Sequence, residues 1–122
     1  MEKKYKELLL KDLCVRLPYH PRVKVWLKDG TTEECTLDLE HNYGDVLRDT
    51  FYYNKIVKIK SYLRPMSSMT EEEKLMYEGL MIGTDNISYM LDVVDWLNAH
   101  HFDYRGLIDK SLALDATGLN IY

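Results

Sequence analysis

Two stretches of the chain hold the side chains that could do chemistry. The first is His100-His101-Phe102-Asp103-Tyr104-Arg105-Gly106. Two imidazoles and a carboxylate are donor types of a zinc site, and a histidine with an aspartate can form an acid–base pair. A small hydrolase or metal enzyme centred on His100, His101 and Asp103 is therefore one expectation. The spacing weighs against it, because metalloprotease histidines stand four apart on one helix face, whereas adjacent histidines diverge. The same residues also read as a helix end whose dipole favours an imidazolium, followed by a turn in which Asp103 and Arg105 satisfy backbone groups. The second stretch is Phe51-Tyr52-Tyr53-Asn54-Lys55, continued by Lys58, Lys60, Tyr62 and Arg64. Cations interleaved with aromatic rings suit a nucleotide, since rings stack on the base while the cations meet phosphate. The plainer alternative is an amphipathic strand with solvated lysines.

From these two stretches the expected ligand-binding residues are Tyr52, Tyr53, Lys58, Lys60, Arg64, His101, Asp103, Tyr104 and Arg105. We assign no catalytic residue, no metal ligand and no cofactor. The chain has no phosphate-cradling glycine loop, no nucleophile elbow and no Cys–His spacing of a thiol enzyme. Its six glycines are scattered singly.

The elements that must position these residues can be read from periodicity. Residues 2–16 form a helix, with Tyr5, Leu9 and Leu13 in one row and Leu10, Cys14 and Leu17 in the next. Lys3, Lys4, Lys6, Lys11 and Asp12 lie off that stripe. The helix stops before Pro18, which pushes its predecessor out of the α region, and Pro18-Tyr19-His20-Pro21 follows as a stiff extended connector. Residues 22–38 alternate as a β-hairpin. A three-residue loop, Lys28-Asp29-Gly30, pairs Val23 with Cys35 and keeps apolar partners together, whereas a two-residue loop would set Glu34 against Val25. Trp26 then falls on the face opposite the valines, under the first helix or exposed as a contact residue. Residues 39–54 read as irregular, with one helical turn at Asp45–Arg48. Residues 55–62 read as a third strand, Val57 and Ile59 on one face, Ile56, Lys58, Lys60 and Tyr62 on the other. A capping box, Ser68 with Glu71 or Thr70 with Glu73, opens a helix broken at Gly83-Thr84. A second helix starts near Asp85 and ends around Asn98-Ala99. The residues from His100 onward form an apolar tail packed on the body.

The fold expectation is α+β: an N-terminal helix on a small antiparallel three-stranded sheet, then an α-hairpin and an ordered C-terminal tail. The 122 residues make one domain, with 1–64 as the helix-and-sheet part and 65–122 as the helical part. Charge is segregated within the net −4: residues 1–30 carry +4, 31–50 −5, 51–66 +4 and 67–122 −7. That pattern suits complementary surfaces within a monomer or across a homo-oligomer, or a basic face for a phosphate-bearing ligand. It is too weakly basic for duplex DNA. Two cysteines, no secretory signal and no long apolar run imply a reduced, cytoplasmic protein with no membrane partner.

Three stretches carry a resemblance: Lys11-Asp12-Leu13-Cys14-Val15-Arg16-Leu17-Pro18-Tyr19, then Tyr62-Leu63-Arg64-Pro65-Met66-Ser67-Ser68-Met69-Thr70-Glu71-Glu72-Glu73, then His101-Phe102-Asp103-Tyr104-Arg105-Gly106-Leu107-Ile108. In that order they resemble a group of small proteins encoded by gut Bacteroidales and their phages and mobile elements. The resemblance implies no particular activity and transfers no functional residue. It does imply an accessory protein made in bacterial cytoplasm, of a kind that binds a host component. The leading expectation is thus a non-enzymatic binding protein with a nucleotide-type small ligand. The alternative is a protein–protein adaptor acting through Trp26 and the acidic α-hairpin.

Overall fold

A computed structural model describes residues 3–38, 43–51, 55–82 and 87–122. Helix α1 (Lys3–Arg16) is followed by a 3-10 turn at Leu17–Tyr19 with Pro18 in its first positions. Proline suits that place because the first turn leaves its missing N–H unused. His20 then turns left-handed at φ 55°, so the segment before Pro21 is a tight corner and not the extended connector expected from its prolines.

Strands β1 (Arg22–Leu27) and β2 (Thr32–Thr36) pair antiparallel with Val23 opposite Cys35. This is the register of a three-residue loop. The Leu27 amide donates to the Thr31 carbonyl at 2.9 Å, and Gly30 takes the left-handed position at φ 88°. Helix α2 (Tyr43–Phe51) is longer than the single turn expected there. Its buried Thr50 donates to the Val46 carbonyl, and Val46 packs against the main core. Strand β3 (Ile56–Leu63) pairs antiparallel with β1, and β4 (Ala113–Asp115) joins β3 in parallel.

The sheet is therefore four-stranded and mixed, in the order β2-β1-β3-β4, and not three-stranded and antiparallel. A three-residue strand shows too little alternation to announce itself. A bulge at Trp26/Leu27 shifts the β1–β3 register. It turns Ile56 into the core beside Ile59 and leaves Val57 outside at 56% exposure, reversing the faces expected for these two residues.

One sheet face carries Val23, Val25, Ile56 and Ile59 and packs on Leu9, Leu13 and Leu17. Burial of these aliphatic side chains contributes roughly 1.5–3 kcal/mol each. Helix α3 (Glu71–Met81) starts at a Thr70–Glu73 capping box, the second of the two spacings the sequence offers. Helix α4 (Ile87–Ala99) contributes Val93 and Leu97 to a second cluster around Phe102, which Tyr77 and Leu80 of α3 join. A third cluster, Leu63, Leu107 and Ala113, holds the tail against the sheet. No described helix is long and apolar enough to cross a membrane.

Candidate functional site

The two chemically rich stretches meet through backbone at the end of β3. The Arg64 amide donates to the His101 carbonyl at 2.8 Å, and the Asp103 amide donates to the Arg64 carbonyl at 2.9 Å. Their side chains, however, are committed to different tasks. Asp103 accepts from the Leu107 and Ile108 amides at 2.8 and 2.9 Å, which closes the turn. The Tyr104 hydroxyl donates to Asn98 Oδ1 at 2.9 Å. Arg105 Nη1 donates to Asp12 Oδ1 at 2.8 Å. Arg64 holds Glu73 in a two-pronged ion pair at 2.6 and 2.8 Å, with its guanidinium 4.2 Å from the Phe102 ring centroid. Tyr52 and Tyr53 lie outside the described residues.

The two histidines diverge. His100 Nδ1 lies 2.9 Å from the Trp96 carbonyl and its ring stacks on Trp96. His101 is buried, left-handed at φ 62°, and stacked on Tyr122 at 3.6 Å between ring centroids. Burial, with Arg16 and Arg64 nearby, pulls the His101 imidazole down to about 4, so it is neutral at physiological pH. The Tyr122 hydroxyl, pushed up to about 12 mainly by burial, receives the Arg22 amide and donates to the Tyr62 carbonyl. Among the described residues no group of three or more His, Cys, Asp or Glu side chains could hold a metal ion.

A buried ion-pair network underlies the turn. Arg16 Nε and Nη2 donate to the two Asp12 oxygens at 2.8 and 3.1 Å, and Nη2 also donates to the Phe102 carbonyl at 2.7 Å. Both side chains are fully buried. Asp12 thus sits inside the stripe from which the helical wheel excluded it, while Cys14, placed on that stripe, is exposed. The wheel failed because a charge was assumed to seek water, whereas here the charge is neutralised within the interior.

Glu73 yields the first testable consequence. The Arg64 guanidinium, with help from the Thr70 cap, lowers its carboxyl to about 2 from an ordinary 4.5. A carboxylate with a depressed pKa stabilises the fold above its unfolded value, and that stabilisation is lost as pH falls toward the folded one. Acid unfolding should therefore include a loss of stability between pH 4.5 and 2 that Glu73→Gln removes. Denaturant melts across that window check it, and an unchanged slope in the variant would contradict it.

The uncommitted cations lie on the other face of the sheet. The β1–β3 pairing sets Trp26 against Lys58 and Lys24 against Lys60. The ammonium groups of Lys58, Lys24 and Lys60 lie 4.8, 5.4 and 5.9 Å from the Trp26 ring centroid. None of the three forms an ion pair among the described residues. Glu34, opposite Lys24, accepts a hydrogen bond from the Tyr62 hydroxyl instead, which together with partial burial raises the pKa of the phenol. None of the three apolar clusters includes a residue of this face.

Beside the lysines, β4 covers only Ser61–Leu63, so among the described residues the first half of β3 has no strand neighbour on that edge. A cleft of about 280 Å³ lies there between Lys58, Lys60, Ser111 and Leu112. A larger cavity of about 480 Å³ lies between Arg64, the start of α3 and the C-terminal tail, but its cation is already neutralised by Glu73. Of the expected ligand-binding residues, the structure gathers Lys58 and Lys60 with Lys24 and Trp26. Lys24 was missing from the sequence expectation, and Trp26 entered it only as an adaptor contact. Alternation put both on the face away from the valines, but only the β1–β3 pairing brings them to the lysines. Compared with protein-family models, curated proteins and solved structures, the chain matches none.

Proposed function

We propose that this chain is a non-enzymatic binding protein whose ligand is of nucleotide type, an aromatic base joined to phosphate, received on the sheet face around Trp26. The observation that carries the reading is three ammonium groups, none in an ion pair among the described residues, within 6 Å of one indole. Ammonium groups crowded together repel each other, and an arriving phosphate relieves that repulsion while the indole offers a stacking surface. Stacking of one base contributes about 1–3 kcal/mol, and phosphate contacts make binding salt-dependent. The adjoining cleft offers the free edge of β3 to sugar or base groups. In the setting implied by the family resemblance, an accessory protein of a phage or mobile element, the ligand belongs to the bacterial host.

Free nucleotides and single-stranded nucleic acid share this chemistry, and one experiment separates them. Thermal shift against linear and cyclic nucleotides is run beside anisotropy titration of a fluorescein-labelled oligouridylate. The expected result is saturable binding in one arm, weakened roughly tenfold or more by Lys58→Ala with Lys60→Ala. Arg105→Ala should leave binding unchanged, because Arg105 is held by Asp12. A flat response in both arms, or binding indifferent to the two lysines, would overturn the proposal.

A further inference from the structure

Helices α3 and α4 expose an unusual amount of apolar surface. Leu75, Ile82 and Leu91 are 71%, 86% and 61% exposed, and Met76 and Met90 are each more than half exposed. Leu75 on α3 and Ile82, the residue capping its C-terminal end, stand seven residues apart, away from Tyr77 and Leu80, which pack inward. Met90, Leu91 and Val94 fall at i, i+1 and i+4 on α4. Exposed side chains of this size on two helices that pack on each other mark an interaction surface.

Charge decides what covers it. Glu71, Glu72, Glu78, Asp92 and Asp95 are exposed on the same two helices, whose only cation, Lys74, lies 3.6 Å from Glu71. An anionic membrane or a nucleic acid is repelled by such a rim, and a second copy presenting the same face sets like charge against like. Helix α1 of another copy supplies lysines, but its Leu9 and Leu13 are buried in its own core and cannot cover leucines elsewhere. The complementary object is apolar along one side and cationic along the other. Unbranched methionines adapt to such partners because their side chains repack easily.

We propose that the α3/α4 surface docks a cationic amphipathic helix of a partner protein. This surface is separate from the Trp26 face and stands or falls independently of it. The probe is a fluorescent amphipathic peptide of leucine and lysine, with a leucine–glutamate counterpart, titrated against the full chain. The cationic peptide should bind saturably. Leu75→Gln, Ile82→Gln and Leu91→Gln combined should weaken it roughly tenfold or more while every charge is kept. Circular dichroism confirms the fold of that variant. Glu78→Gln with Asp92→Asn and Asp95→Asn should weaken binding and flatten its salt dependence. The proposal is overturned if the cationic peptide does not bind, if the anionic peptide binds as well, or if the glutamine variant binds as tightly as the parent. A dimer seen by light scattering and dissolved by Leu91→Gln would also overturn it, in favour of a second copy.

Discussion

Asp12→Asn is expected to destabilise the protein by about 3–5 kcal/mol, a large share of the 5–15 kcal/mol that holds a typical domain together. The substitution keeps the shape and removes the charge. What remains is a guanidinium with no access to water, since Arg16 is fully buried and its Nη1 already lacks a hydrogen-bond partner among the described residues. Its other contacts are the Phe102 carbonyl and the face of the Tyr104 ring, and neither is a counter-charge. The size of the loss reflects the penalty of an unpaired buried charge more than the strength of the pair itself. Two companions follow. Arg105→Ala, at the partly exposed end of the network, should cost far less. Replacing Asp12 and Arg16 together by leucine and methionine should recover most of the loss. Urea titration of the four proteins checks all of this. A loss below about 1 kcal/mol for Asp12→Asn would show that Arg16 is solvated.

Stability should also fall by up to roughly 3 kcal/mol between pH 6.5 and 4 because of His101 alone. Its imidazole titrates near 4 in the folded protein and at 6.5 ordinarily. Above pH 6.5 neither state holds the proton and the group contributes nothing. As pH falls below 6.5, the unfolded chain gains a proton that the folded chain refuses, so unfolding is favoured until the folded pKa is reached. The cause is burial first, then the positive charges of Arg16 and Arg64, with smaller contributions from His100 and His20. His101→Asn is the informative variant, because asparagine tolerates the left-handed backbone that His101 adopts. It should flatten the stability profile from pH 6.5 to 4.5 while leaving the Glu73 loss below 4.5 in place. Denaturant melts at closely spaced pH values read both windows, and a wild-type profile that stays level from 6.5 to 4 would contradict the prediction.

What the sequence disclosed and what it concealed divide along distance in the chain. The hairpin register followed from keeping Val23 beside Cys35, and the capping box from three residues of spacing, because both are local. The Asp12–Arg16 pair is local too, at i and i+4, yet its burial depends on a carbonyl 86 residues beyond Arg16. Helical periodicity therefore read Asp12 as a surface residue. The Trp26 cluster needed the antiparallel pairing of β1 with β3, and the bulge that reverses Ile56 and Val57 could not be read from alternation. Arg64 of the basic-aromatic stretch and Asp103, Tyr104 and Arg105 of the turn read as binding residues because residue types alone do not say whether a polar group is already satisfied. The structure satisfies them from Glu73, backbone amides, Asn98 and Asp12 respectively.

In the proposed complex a base stacks on Trp26 while its phosphate meets Lys24, Lys58 and Lys60. Indole emission reports that contact directly. Nucleotides and an unlabelled oligouridylate are titrated into the wild type and into Trp26→Phe, in which Trp96, stacked between Tyr77 and Phe102, is the remaining indole. Saturable quenching is expected in the wild type, absent from Trp26→Phe and weakened by added salt. Equal quenching in both proteins, or none in the wild type at saturating ligand, would contradict it.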